Sequence, residues 1–333
     1  MASGDPLDRA MGALTGVAMG DAMGMPAQTL SRQMIAASYG RITGFVAPVA
    51  GHPVSHGLVA AQITDDTEQT LLLASRLCAD APGFDEEAWA RMLLDWEAGV
   101  RARGLHDLLG PSTKAALDAL LGGMPASQTG RGGTTNGAAM RIAPLGIATP
   151  PEETLLVDRV EAACRVTHAT GEAIAAAAAV AMAISLGVSG LGWSDVLEPA
   201  LGAARAGNRR GAAKGETDMA GRIALAVKVA ESGGEAELAR QIGTSVASRE
   251  SVPAAFGVVW LAAGDPFQAA LIAANIGDDT DTIGAIAAGM AGACKGLSAF
   301  PRAETAQLIA ANDLALEPVA RQLLALRAGL AMP

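Results

Sequence analysis

Aromatic residues are scarce: one tyrosine, four tryptophans and five phenylalanines make up 3% of the 333 residues. Strand formers are therefore sparse while alanine fills the apolar runs, and the chain reads as all-α. Positive charge is also short. The 24 Lys and Arg against 34 Asp and Glu leave a formal net charge of −10 with no basic stripe, which argues against a nucleic-acid partner. Cysteine is limited to Cys78, Cys164 and Cys294, far apart, odd in number and each inside an apolar segment. That rules out a disulfide framework and suits buried free thiols in a reducing, cytoplasmic setting. The acidic start Met1-Ala2-Ser3-Gly4-Asp5-Pro6 lacks the basic flank of a signal peptide. The uncharged run from Ala173 to Ser194 has the roughly 20 residues needed to cross a bilayer. It is mostly alanine, interrupted by Gly187, Gly190 and Gly192, and flanked by Glu172 and Asp195 rather than by positive charge, so a buried core helix is expected and no membrane span.

With half of its residues hydrophobic and no segment of linker composition, the chain is expected to form one domain over residues 1–333. The stretch from Arg9 to Met23 is small and apolar all round. Its Gly12, Gly16 and Gly20 would let a second helix approach closely, and Pro26 is expected to end it. From Gly40 to Gln62 the glycines and prolines break any period, giving a loop able to cover a site, with His52 and His56 in it. Helices are expected over Asp85–Val100, with Trp89, Met92, Leu93 and Trp96 on one face, and after Pro111-Ser112-Thr113 up to Leu121. Further helices are expected over Asp195–Ala206, Asp218–Glu231, Ser251–Ala263 and Phe267–Ala274, with an amphipathic tail from Ala303 to Leu330 that turns Arg321 and Arg327 to its polar side. The connection Asn208-Arg209-Arg210-Gly211 is expected to be solvated.

The chemistry concentrates in two acidic helix starts. Asn275-Ile276-Gly277-Asp278-Asp279-Thr280-Asp281-Thr282 precedes the apolar run Ile283–Ala293, and Thr64-Asp65-Asp66-Thr67-Glu68 precedes Leu71–Leu77. Carboxylates in a first helical turn serve either as dipole-stabilised caps or as oxygen ligands for a hard divalent cation. Two copies, converging from opposite ends of the chain, suggest a two-metal site. The glycine-rich Thr129–Gly137 stretch is either a plain loop or a phosphate cradle with Arg131 or Arg141 adding charge.

Five segments in order resemble the ADP-ribosylglycohydrolase family, which includes the dinitrogenase reductase-activating glycohydrolases. They are Gly20-Asp21-Ala22-Met23-Gly24-Met25-Pro26, Thr64-Asp65-Asp66-Thr67, Thr135-Asn136-Gly137-Ala138-Ala139-Met140-Arg141, Thr167-His168 and Gly277-Asp278-Asp279-Thr280-Asp281-Thr282. The resemblance covers most of the chain and implies a single compact orthogonal helical bundle. It implies that Thr64, Asp65, Asp66, Asp279, Asp281 and Thr282 hold two Mg²⁺ or Mn²⁺ ions. The ribose 2′- and 3′-hydroxyls would meet these metals while a water attacks C1′ through an oxocarbenium-like state, with Asp65, Asp66 and Asp279 as the catalytic carboxylates. Asn136 and Gly137 are implied as diphosphate or ribose contacts and His168 as a supporting residue. Where many members carry a glutamate on a flap, this chain has Gln28, which cannot act as a base. Either another carboxylate replaces it, with Asp21, Asp107 and Asp278 the candidates, or the substrate is not the usual ADP-ribosylated side chain; Asp107 also stands near a substrate-side position of the family. The implied substrates are ADP-ribosylated protein side chains or small ADP-ribose conjugates. A nucleoside or other ribosyl N-glycoside is the alternative, and a non-catalytic ADP-ribose-binding protein a further one.

Overall fold

A computed structural model describes residues 4–105, 109–214 and 218–330. Seventeen α-helices and no strands occur among them. The all-α expectation follows from alanine-rich composition, and the architecture grows from one helix pair. Helix α1 (Pro6–Gly24) begins with Asp5, whose side chain accepts from Leu7 N at 3.0 Å, and continues with small residues on every side. It runs antiparallel to α15 (Thr280–Lys295). Gly12 faces Gly292, Gly16 faces Ala288, Gly20 faces Gly284 and Gly24 faces Thr280, so closely that a Cβ at Gly20 would fall inside the Gly284 peptide. The stripe of Gly12, Gly16 and Gly20 thus does what the sequence suggests: two backbones touch with no side chain between them. The antiparallel contact also sets the site, because it brings the end of α1 against the acidic start of α15.

Helix α10 (Gly171–Val188) is the one helix among the described residues long and apolar enough to cross a membrane, and it is buried in the core. Helices α7 (Gly137–Met140), α8 (Ala143–Ala148), α9 (Glu153–Cys164) and α11 (Trp193–Asn208) pack around it, as does α15. Arg9 closes the ends of two of these helices, donating to Gly187 O at 2.9 Å and to Cys294 O at 2.6 Å. Both carbonyls lie in the last turn of their helices, where a cation complements the helix dipole. Helix α12 (Met219–Ile242), broken at Gly234 so that Arg222 of its first part reaches Ile242 O at 2.7 Å, packs on α13 (Ser248–Leu261), and α14 (Pro266–Ala274) delivers the chain to the acidic start of α15.

Several local expectations change. Helix α1 does end just ahead of Pro26, at Gly24, but the chain continues into a 3₁₀ turn, Met25–Ala27. Helices α2 (Arg32–Tyr39) and α9 arise where the sequence reading assigns none. Helix α13 starts a turn before Ser251, leaving Pro253 inside it. The tail is two helices, α16 (Arg302–Asn312) and α17 (Leu316–Leu330), divided at Asp313 in a left-handed conformation with φ 50°. Arg327 is not on a polar face. It is half-buried and donates to Ile147 O at 3.2 Å and to Ser185 O at 3.1 Å. Arg210 of the expected solvated connection reaches Asp158 at 2.7 Å and Glu161 at 3.4 Å.

Candidate active site

Helix α3 (Asp65–Asp80) carries the first acidic motif and α15 the second. The capping reading does not survive the geometry. Ser31, Asp85, Thr170, Asp218 and Asp265 all cap their helices with a side-chain oxygen, but Thr64 and Asp279, at the two acidic starts, do not. Thr64 Oγ1 instead donates to Asp21 Oδ1 at 2.6 Å, and Asp279 Oδ2 accepts from Asn136 Nδ2. The carboxylates keep the benefit of the helix dipole while their oxygens remain available for another purpose.

Asp21, buried inside the glycine-striped helix, fastens the start of α3. It accepts from the backbone N–H of Thr64 at 3.0 Å and of Thr67 at 3.1 Å, and from both threonine hydroxyls. Burial raises its pKa to about 6 in spite of these bonds. With both oxygens engaged and no surface on the cleft, Asp21 is not the free carboxylate that would replace a flap glutamate. Asp278 does not fill the role either. Its side chain is exposed outside the cleft, while its backbone pairs with the Gln28 segment: Thr29 N donates to Asp278 O at 2.7 Å and Asp278 N to Leu30 O at 2.8 Å. Thr29, Gly277 and Asp278 all take positive φ at this strap, which closes beside the acidic start of α15. Asp107 lies outside the described residues.

A cleft of about 180 Å³ opens over the motifs, lined by Gln28, Asp65, Asn136, Gly137, Asp279, Asp281 and Thr282 of the sequence-derived set. Thr64 and Asp66 lie behind it, buried. Burial pushes the pKa values of Asp65, Asp66 and Asp281 well up, and repulsion among Asp21, Asp65, Asp66, Asp279 and Asp281 adds to it. Asp279 is raised to about 6, again chiefly by burial, with the Asn136 amide holding it down. Asp66 Oδ1 and Asp281 Oδ1 are buried with no hydrogen-bond partner. Among the described residues, no three His, Cys, Asp or Glu side chains close on a single point as a formed metal site would. The donors are nonetheless the hard oxygens that a divalent cation takes, and the partnerless oxygens fit such an ion.

Asn136 is fixed by its neighbours. Its amide N–H group donates to Asp279 and, at 2.9 Å, to Ser251 Oγ, whose own proton goes to Ala247 O at 3.1 Å. His168 does not reach the cleft. It is fully buried beneath Gly137, where a Cβ would stand 2.8 Å from its ring. The glycine-rich stretch is no free loop: Gly130 O accepts from Ala169 N at 2.8 Å and Gly133 O from Thr170 Oγ1 at 2.6 Å. Arg141 is buried against the Trp89 ring at 5.3 Å, so it adds no charge to a phosphate in the cleft.

The expected covering loop does contribute a wall. Val54 lines the cleft, and Ser55 beside it holds Gln28, whose Nε2 donates to Ser55 Oγ at 2.9 Å. Thr135, Thr113, Leu109 and Val246 also line it, and residue types and spacing do not single them out. Asp21 was detectable by its character, since one carboxylate inside a wholly apolar helix must be paired.

The ADP-ribosylglycohydrolase family model matches residues 2–331. An uncharacterized protein of Escherichia coli K12, YegU, is 35% identical over 313 residues, covering 92% of this chain and 93% of that protein. An ADP-ribosylarginine hydrolase of Pseudomonas putida is 28% identical over 309 residues, 89% of this chain and 72% of its own length. In a solved structure, an ADP-ribosylglycohydrolase-related protein complex, the helices superpose over 98% of this chain and 99% of that one, with a TM-score of 0.69 and 26% identity. With a match that runs nearly end to end and a shared helical architecture, the chain belongs to the ADP-ribosylglycohydrolase family.

Proposed function

We propose that the protein is a metal-dependent hydrolase that cleaves the ribosyl C1′ glycosidic bond of ADP-ribosylated protein side chains or small ADP-ribose conjugates. The family is one of glycohydrolases, and the P. putida relative is an ADP-ribosylarginine hydrolase. The observation that carries the metal part is the pair of buried, partnerless oxygens, Asp66 Oδ1 and Asp281 Oδ1, beside a cleft whose carboxylates repel one another. Thr64, Asp65, Asp66, Asp279, Asp281 and Thr282 would hold two Mg²⁺ or Mn²⁺ ions, which when bound supply Lewis acidity and an acidified water. The hydroxyl proton of Thr64 is committed to Asp21, leaving its lone pairs free for such an ion.

The chain's own residues orient and stabilise. Asp65, Asp279 and Asp281 face the cleft, and ionised in the metal-bound protein they would stabilise an oxocarbenium-like sugar. Asn136 holds Asp279 in place, and Gly137 lines the cleft with its backbone packed on His168, where no Cβ would fit. Gln28 binds without titrating, so proton removal from water falls to a cleft carboxylate rather than to the flap position. The free thiols Cys78, Cys164 and Cys294 support a reducing, cytoplasmic location.

The test is hydrolysis of arginine- and serine-linked ADP-ribosyl conjugates and of nucleosides, with Mg²⁺, Mn²⁺ or EDTA. Release of ADP-ribose from a conjugate, abolished by EDTA, is expected. Asp281→Asn should lose turnover and weaken metal binding with the fold intact, because the group removed sits at the cleft and not in the apolar core. Wild-type activity in that variant would end the two-metal reading, and ribose and free base released from nucleosides alone would move the substrate to that class.

A further inference from the structure

Arg141 is fully buried and does not line the cleft, yet it makes contacts that reach the cleft from below. A guanidinium only donates. Its Nη1 donates to Gln69 Oε1 at 2.6 Å and its Nη2 to Thr167 Oγ1 at 2.5 Å. Thr167 is closed off completely, so its own hydroxyl proton needs a partner inside the protein. His168 Nδ1, 2.8 Å away, is the one acceptor left to it among the described residues. Nδ1 therefore carries no hydrogen. Burial, and next to it the charge of Arg141, keeps the imidazole neutral by lowering its pKa well below the usual value. Its single proton then resides on Nε2, which lies 3.1 Å from Thr135 Oγ1. Thr135 accepts that proton, and its own hydroxyl hydrogen is left to point elsewhere. Thr135 lines the cleft beside Asn136 and Gly137.

We propose that Arg141 is a positioning residue that sets the direction of the relay Arg141–Thr167–His168–Thr135, making the Thr135 hydroxyl a donor to an acceptor oxygen of the bound substrate. The reverse polarity would leave the buried Thr167 hydroxyl proton without an acceptor, whereas this one leaves over only the hydroxyl hydrogen of Thr135, which lines the cleft. Only the substrate half rests on the ribosyl-hydrolase reading above; the relay rests on the protein alone. The relay gives the Thr167-His168 pair a use that neither capping nor direct ligand contact supplies.

Two measurements separate those halves. In protein labelled at histidine nitrogen, NMR should show His168 neutral with the proton on Nε2. Thr135→Val should leave that tautomer in place, and Arg141→Met should mix the two tautomers. In kinetics, Thr135→Val should lower kcat/KM by about 10- to 100-fold, as loss of one hydrogen bond to substrate does. Thr135→Ser should restore it, and His168→Gln, whose amide N–H can take the place of Nε2, should retain most of it. A His168 proton on Nδ1 overturns the relay. Wild-type kcat/KM in Thr135→Val overturns the donor role. Should Arg141→Met fail to fold, the wild-type tautomer and the Thr135 pair still decide. Should no ribosyl compound be turned over by the wild type, the functional reading fails while the tautomer continues to judge the relay.

Discussion

Gln28 Nε2 donates to Ser55 Oγ at 2.9 Å, and Ser55 passes its own proton to Met25 O at 2.8 Å. A carbonyl can only accept, so the Ser55 oxygen can only receive from Gln28, and the amide is fixed with its N–H group toward the loop and Oε1 free. The neighbouring turn is locked by His52, whose Nδ1 accepts from Ser55 N at 2.8 Å and from Val54 N at 3.2 Å. The cleft wall at Gln28 is thus a neutral acceptor.

Ser55→Ala should release that amide and lower kcat/KM by about 5- to 30-fold, the kinetic equivalent of roughly 1–2 kcal/mol for one hydrogen bond. Gln28→Glu should do more, since a carboxylate there needs the Ser55 proton that Met25 holds and adds charge beside carboxylates already repelling one another. Steady-state kinetics on the best conjugate decides: Ser55→Ala indistinguishable from wild type would show that the amide's orientation is immaterial.

Two glycine substitutions should have opposite signs, one at the contact between α1 and α15 and one away from it. At Gly20 a Cβ meets the Gly284 backbone, which cannot move without separating the helices, so Gly20→Ala should cost on the order of 3 kcal/mol or more. At Gly99, inside α4 (Glu86–Ala102), nothing stands within 4 Å, and Gly99→Ala should stabilise by about 0.5–1 kcal/mol. Urea unfolding midpoints check both. Equal small effects at the two sites would mean that the helices do not touch as closely as described.

Burial and mutual repulsion raise the site carboxylates above their ordinary value of 3.8, to about 6 for Asp21 and Asp279 and well up for Asp65, Asp66 and Asp281. A raised folded-state pKa contributes stability that is complete below the unfolded value and is lost as pH rises through the folded one. Buried His168, shifted down, acts in the opposite sense, but only below the unfolded imidazole value of about 6.5. Metal-free protein in EDTA should therefore lose melting temperature as pH rises from about 4 through 6, an interval in which five carboxylates outweigh one imidazole. Mg²⁺ or Mn²⁺ at about 100 times its Kd should return roughly 2.7 kcal/mol, about 4 °C for a chain of this length, and flatten the profile. A stability that climbs over that interval in EDTA contradicts the proposed charge cluster.

Which parts were legible in the sequence follows from the range of the interactions. The glycine stripe on α1 and the two acidic helix starts are local patterns, and their residues pack or line the cleft where the patterns suggest. The role of Asp21 is not local: its partners Thr64 and Thr67 lie 43 and 46 residues away, so the same residue reads equally well as a spare base. Ser55 sits in a loop with no period to read. His168 is recognisable in its motif, but its burial under Gly137 depends on two segments that meet only in the fold. The break at Asp313 rests on one left-handed residue, to which a hydrophobic period is blind. Arg327 looked like a polar-face charge because its acceptors, at the ends of α8 and α10, are more than 100 residues distant.

Asp21→Asn tests the fastening role directly. The substitution removes one repelling charge, which favours the remaining carboxylates, but it also turns an N–H₂ group toward the Thr64 or Thr67 donors that Asp21 now receives. A donor facing donors in a buried site is unfavourable by about 1–3 kcal/mol, so the start of α3 should loosen and carry Asp65 and Asp66 with it. The apparent Kd for Mg²⁺ or Mn²⁺ should rise at least tenfold or so, with kcat recovering as metal is added to saturation. A base behaves otherwise. If Asp21 took the proton from water, kcat would stay low at every metal concentration while metal affinity held, and titration calorimetry beside the kinetics tells the two apart.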